Sequence, residues 1–329
     1  MSARQQRMAQ QDLLPGLIDE REVDWPRVAC LSYLVQQRFR YEYSQPIHQL
    51  RHRLMVVPPD RHGGQRTVAS HVTASLGQLP PGGARPGREG SPSIPVATER
   101  QTDEHGNVCV EVAVPAVEAW VEFEARVVVS QAARDEPGLH PADHLTDARL
   151  LDPTPLTAPT ASLVRSAGLL RATGRRGLDL AEAVNAWVHR TLAYERGATG
   201  VHSTAADALA LGRGVCQDFA HVMLAVCRLL GLPARYVSGH LIGEGGTHAW
   251  VEVLLPDPAG SGLAAAFAFD PTQGGRAGLG HVTVATGRDY RDVAPTAGTY
   301  EGAACGHLSA SKRMDIVGVA YAPGRSRTA

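Results

Sequence analysis

The sequence predicts an α+β chain, with an all-β first half followed by helices packed on an antiparallel sheet. Apolar residues recur with period two in the first half and at helical spacing in much of the second. A proline-dense stretch separates the two patterns, which places a domain boundary there.

Residues 1–28 read as a polar lead and 29–130 as the β-rich domain. Phe39, Tyr41 and Tyr43 alternate with Arg38, Arg40 and Glu42, as in a strand with one buried face. LRHRLMVVPP forms a second strand that ends in prolines. The Gly/Pro/Ser-rich tract at 80–95 reads as turns. So does Asp103-Glu104-His105-Gly106-Asn107, just before the strand VCVEVAV. The clearest strand runs from Val117 to Val129, with Glu118, Trp120, Glu122, Glu124 and Arg126 on its other face.

Residues 131–160 are expected to be a Pro-rich linker, and 161–329 the second domain. Asp179 and Glu182 open a helix whose buried face carries Leu180, Val184, Trp187, Val188 and Leu192. Ser203 or Thr204 opens a shorter one. Gly212 and Gly214 then permit a sharp turn. A helix with Phe219, Val222, Met223, Val226, Leu229 and Leu230 follows, until Gly231 and Pro233 stop it. ARYVSGHLI, THAWVEVLL and AAAFAFD read as strands, the last two joined by a hairpin.

The 329 residues carry a formal net charge of -1, with 43% hydrophobic and 20% charged residues. That balance argues for a folded globular chain and gives no electrostatic reason to expect nucleic acid or an anionic membrane as partner. The first residues lack the apolar stretch of a signal sequence, and no run of about 18 apolar residues occurs, so a cytoplasmic protein is expected. Five cysteines, spread out and without a CxxC pair, suggest neither a disulfide framework nor a zinc knuckle.

Cys216 falls in the first turn of its helix. Unpaired N–H groups and the positive end of the helix dipole favour a thiolate there, and the same N–H groups could help form an oxyanion hole. Cys227, in mid-helix, reads as an inert core thiol. His248 begins one strand of the hairpin and Asp270 ends the other, so antiparallel pairing brings imidazole and carboxylate together. Each residue alone has an ordinary structural explanation. Together, in the order Cys, His, Asp, they have the logic of an activated nucleophile with its base and orienting group.

GRGVCQDFAHVMLAVCRLLGLPARYVSGHL, THAWVEV and FDPTQG resemble the three signature blocks of the bacterial transglutaminase-like superfamily, over roughly residues 161–291. The β-rich first half, with its DEHGN turn, is similar to the N-terminal region that accompanies this domain in many bacterial members. The resemblance implies a papain-like core in which Cys216 is nucleophile, His248 base and acid, and Asp270 the orienting group. It implies amide chemistry through a thioester on a peptide or protein substrate, as a peptidase or amidase. An amine-accepting glutamine γ-glutamyltransferase and a non-catalytic binding module are the alternatives. No cofactor or metal is called for. Gln217, Trp250 and His240 are candidate oxyanion or substrate contacts. The chain departs from the family pattern at Thr247, at Gln273 and at His240, where an altered cleft wall would result. The loop GRDYRD resembles a recurrent C-terminal segment to which no mechanism attaches.

Overall fold

The computed structural model describes residues 16–77, 93–133 and 137–322. The start of the polar lead and most of the 80–95 turn tract lie outside the described residues.

The first half contains β1 (Val28–Tyr43), β2 (Ile47–Val57), β3 (Arg61–His62), β4 (Gln65–Gly77), β5 (Ser93–Val96), β6 (Glu99–Thr102), β7 (Val108–Val117) and β8 (Trp120–Ala132). The alternation predicted as one strand from Val117 is thus split. Val117 closes β7, a turn follows, and the inward run from Val121 to Val129 belongs to β8.

In the second half β9 (Gly138–His140) precedes α1 (Ala148–Leu151), α2 (Ala161–Arg171) and α3 (Gly177–Thr191). Then come β10 (Ala193–Tyr194), α4 (Ala205–Leu211), β11 (Arg213–Gly214) and α5 (Cys216–Leu229). The remaining elements are β12 (Ala234–Leu241), β13 (His248–Pro256), β14 (Ala264–Asp270), β15 (Gly275–Arg276), β16 (His281–Gly287), α6 (Tyr290–Val293), β17 (Thr296–Glu301) and β18 (Gly306–Tyr321).

Two sheets form the β module, ordered β18-β1-β8-β4-β3 with β5 on β4, and β17-β2-β7-β6. Phe39, Leu50, Leu54, Val110, Val112 and Phe123 fill the space between them. The sheet of the second half runs β15-β14-β13-β12-β16, with β9 on β14. One core joins it to the helices, through Val184, Val188, Val222, Val226, Tyr236, Val251 and Val253.

The linear division at residue 160 does not describe this topology. β17 and β18, within the stretch expected to be the second domain, pair with β2 and β1 of the β module. The Pro-rich segment is also built into the fold: β9 adds to β14, and Leu150 packs with Leu254 and Ala264.

The two units meet along β16, an edge strand whose outward N–H and C=O groups need partners. Gln65 supplies both for Thr283: its Oε1 accepts from Thr283 N and its Nε2 donates to Thr283 O, each at 2.8 Å. Asn107 does the same for Thr286, again at 2.8 Å. Asn107 is itself held by the DEHGN turn, where Asp103 accepts from the backbone N–H of His105 and Asn107 and from the Asn107 side chain. Each amide stands in for a missing neighbouring strand.

Helix α5 is fixed from below by Arg228. Its guanidinium donates to Thr157 Oγ1 (2.8 Å), Leu150 O (3.4 Å), Ala234 O (3.3 Å) and Arg288 O (2.6 Å). Burial pulls its pKa down to about 10 against the opposing charge of Asp289. The GRDYRD loop thereby has a structural job. Arg288 receives Arg228, Asp289 caps α6 through Arg291 N, and the Tyr290 N–H donates to His221. Arg228→Ala leaves these buried acceptors unpaired, and urea unfolding should show a loss of about 3 kcal/mol. A change below about 1 kcal/mol would mean that the network does not fasten the helix.

Candidate functional site

Cys216 is the first residue of α5 and is half-buried, whereas Cys227 of the same helix is fully buried. Burial pushes the Cys227 thiol up to about 12, which suits an inert core residue. The turn that delivers Cys216 depends on close approach. A Cβ on Gly214 would lie 2.4 Å from Asp218 Oδ2 and 2.7 Å from Asp218 Cβ, so only glycine fits. Asp218 Oδ2 accepts from Val215 N at 2.7 Å and from Thr199 Oγ1 at 2.6 Å. This is half of a capping box, because Val215 has no side-chain acceptor to return the bond. Burial raises the Asp218 pKa, and these hydrogen bonds oppose the rise.

His248 and Asp270 stand at the ends of β13 and β14, which pair antiparallel from Val251↔Phe269 to Pro256↔Ala264. His248 Nε2 donates to Asp270 Oδ2 at 2.7 Å. That leaves Nδ1 for Cys216, whose interaction with the ring acts to raise its pKa. Burial acts to lower the His248 pKa. The hydrogen bonds and negative charge of Asp270 and Cys216 outweigh it, and the ring is raised to about 9. Asp270 is fully buried. Burial alone would raise its pKa, yet hydrogen bonds from His248 and His281 hold it well below the usual carboxylate range. Cys216, His248 and Asp270 therefore come together as one group.

The structure treats the three tentative contacts differently. Gln217 donates its side-chain amide to Val201 O at 3.3 Å, which occupies it with the local backbone. Trp250 is 1% exposed and packs between imidazoles, with ring centroids 6.1 Å from His248 and 5.2 Å from His281. It also lies against Gly239, where a Cβ would fall 2.5 Å from the indole. His240 does not form a cleft wall, because it is 1% exposed and both ring nitrogens lack a hydrogen bond among the described residues. Burial lowers its pKa to about 3.

Sequence reasoning missed His281. Its Nδ1 accepts from Gly278 N at 3.1 Å and its Nε2 donates to Asp270 Oδ2 at 3.0 Å. His248, Asp270 and His281 are also close enough to hold a metal ion among the described residues. In this arrangement both imidazoles present N–H groups to one carboxylate oxygen, so a metal would have to displace both hydrogen bonds. The only signal for His281 was a histidine after glycine at the start of a strand, the setting that also marks His248 approximately.

Thr247 O lies 4.0 Å from Cys216 Sγ. Lys312 reaches the same loop from β18 and donates to Gly246 O, and Arg196 pairs with Glu244 at 3.6 Å. Interaction with Cys216 acts on both cations in the sense that favours their charged form, while burial pulls Lys312 down to about 8. A cavity of about 650 Å³ lies on the Trp250 side of the sheet, lined by His62, Gln65, Glu252 and His281 among others, and Cys216 is not part of its wall.

Residues 161–260 match the family model described as the transglutaminase-like superfamily. An uncharacterized protein of Mycobacterium leprae is 39% identical over 163 residues, 46% of this chain and 55% of the relative. An uncharacterized Mycobacterium tuberculosis protein is 34% identical over 122 residues, 34% of this chain and 38% of the relative. The matches thus span about half or less of those relatives' own lengths. A solved chain from Cytophaga hutchinsonii, described as a "Putative Cysteine Protease", superposes with a TM-score of 0.66 at 20% identity. It covers 89% of this chain and 93% of that one, so the likeness of fold includes the β module.

Gly214→Ala should displace the Asp218 cap and lower stability by about 1 to 2 kcal/mol, the size of a lost N-cap. Asp218→Ala should do the same, and the double variant should be little worse than either. Full additivity of the two in urea unfolding would show that they act separately.

Proposed function

We propose that this chain, whose residues 161–260 match the transglutaminase-like superfamily, is a cysteine-dependent acyl-transfer enzyme acting on amides, working as a peptidase or amidase. The observation that carries this reading is the hydrogen bond from His248 Nε2 to Asp270, which leaves Nδ1 for Cys216. A carboxylate on the far nitrogen fixes tautomer and ring orientation, and leaves the near nitrogen to exchange a proton with sulfur.

The Cys216 thiolate adds to the amide carbonyl, and backbone N–H groups of the first turn of α5 are the donors available to the oxyanion. The Gln217 side chain gives one of its two amide N–H groups to Val201 O. Protonated His248 gives its proton to the nitrogen as the C–N bond breaks, which releases the amine and leaves a thioester. His248, now neutral, takes a proton from water as the oxygen attacks the thioester. The acid departs, and the proton returns the Cys216–His248 pair to its starting state. An acceptor amine in place of water would give transfer. The half-exposed position of Cys216 favours water. A peptide or protein substrate and a cytoplasmic setting are part of this reading.

Incubation with a glutamine-containing peptide should release ammonia and form no adduct when a primary amine is added. An adduct that grows with amine concentration would assign transfer instead of hydrolysis. Cys216→Ala should reduce turnover by about 10³-fold or more while the chain remains folded.

The pH dependence follows from the raised His248. Its proton is held up to about 9, so the proton-donating step is intact below that value and fails as pH rises through it. A pH–rate profile with a falling alkaline limb near 9 is expected. A limb near 6.5, the value of an ordinary histidine, would contradict the ion-pair arrangement.

A further inference from the structure

We infer that His281 is a positioning residue for this site, and that the β module holds it in place. The inference rests on the acyl-transfer reading above and adds a fourth side chain to it.

Asp270 accepts four hydrogen bonds. Oδ1 takes the N–H of Thr272 (2.9 Å) and Gln273 (3.1 Å), and Oδ2 takes the two imidazoles. The backbone pair fixes one oxygen. The other would be restrained only by His248, the residue it has to orient, were it not for His281. His281 is suited to that restraint because its own state is fixed. The Gly278 N–H points at Nδ1, which must therefore be the acceptor, so Nε2 carries the proton that goes to Asp270. The ring is mostly buried and set edge-on to Trp250, with interplanar angle 77°.

The loop before His281 is tied to the β module at several points. Tyr33, fully buried in β1, donates its hydroxyl to Leu279 O at 2.7 Å, and Gln131 of β8 donates to Gly278 O at 3.3 Å. Gln65 clamps Thr283 two residues further on. Val282 packs with Leu31, Tyr33, Val127 and Val129. The path from β module to proposed nucleophile is thus continuous: Tyr33 and Gln65, the 278–283 segment, His281, Asp270, His248, Cys216. His281 hydrogen-bonds Asp270 and its ring centroid lies 5.9 Å from that of His248, so its effect on Cys216 passes through those two residues.

The test uses the full chain and iodoacetamide as probe, following alkylation of the Cys216 peptide by mass spectrometry across pH, with exposed Cys305 as internal reference. In the unaltered chain Cys216 should react well ahead of Cys305 near neutral pH. His281→Ala should slow Cys216 about 10- to 100-fold, the range seen when an outer hydrogen-bond partner of a working side chain is removed. It should leave Cys305 unchanged. His281→Gln, whose amide nitrogen can occupy the position of Nε2, should recover most of the rate, which a merely space-filling role would not predict.

If Cys216 of the unaltered chain is no faster than Cys305, the acyl-transfer reading itself fails. If Cys216 is fast and His281→Ala keeps its rate and pH profile, only the role of His281 is overturned. Should the alanine variant not fold, nitrogen-15 NMR of the unaltered chain decides. An exchange-protected Nε2–H tautomer at His281 supports the proposal, and an Nδ1–H tautomer overturns it.

Discussion

A buried carboxylate cannot be left with empty lone pairs, and Asp270 is the fully buried carboxylate around which this site is arranged. Desolvation disfavours its charge, so ionisation depends on the donors that surround it. Two of them come from its own turn, since Pro271 ends the strand and lets Thr272 and Gln273 fold back onto Oδ1. The other two are imidazoles from β13 and β16, which fixes where those strands must begin. One demand for solvation thus sets the register at one end of the sheet.

That demand extends to the β module. Because β16 is an edge strand, its free polar groups would attract water or another chain unless something covered them. Gln65 and Asn107 cover them with side-chain amides, and His62 adds a contact to Glu252 of β13 at 2.6 Å, where Arg235 also pairs. On the opposite wall of the site the requirement is different. Cys216 needs an uncapped helix start with its dipole exposed, yet the N-terminal turn still needs a donor satisfied. Asp218 meets both conditions by bonding Val215 N, on the side of the turn held by Thr199.

Cys216, His248 and Asp270 are legible in the sequence because each lies at an element end marked by glycine or proline, and because β13 and β14 are sequential neighbours. The strand pattern of the β module is legible for a similar local reason, the period-two alternation of β1 and β8. His281 is not legible in this way. Its place follows from β16 pairing with β12, across three intervening strands in the chain, with Leu241↔His281 in register. Nor does periodicity reveal that a buried glutamine and asparagine replace a strand, since polar residues at such positions look like a solvated face. His240 shows the converse. A histidine next to a cleft motif suggests a wall, while the three-dimensional packing encloses it.

Chain topology explains why the second unit cannot be read as a separate block. β1 and β18 pair over nearly their whole lengths, so the segment with the helices leaves the β module after β8 and returns to it at β17. The contacts that tie the 278–286 stretch to the β module are consequently remote in sequence. Tyr33 and Leu279 are 246 positions apart, Gln65 and Thr283 218, Asn107 and Thr286 179. Contacts of that separation form only after large loops have closed, so they belong to the completed fold and not to any local piece of it. The hairpin of β13 and β14 can bring His248 to Asp270 from local pairing alone. Restraint of the second carboxylate oxygen by His281 requires both ends of the chain to be in place. The proposed working geometry of Cys216, His248 and Asp270 is in that sense a property of the whole chain.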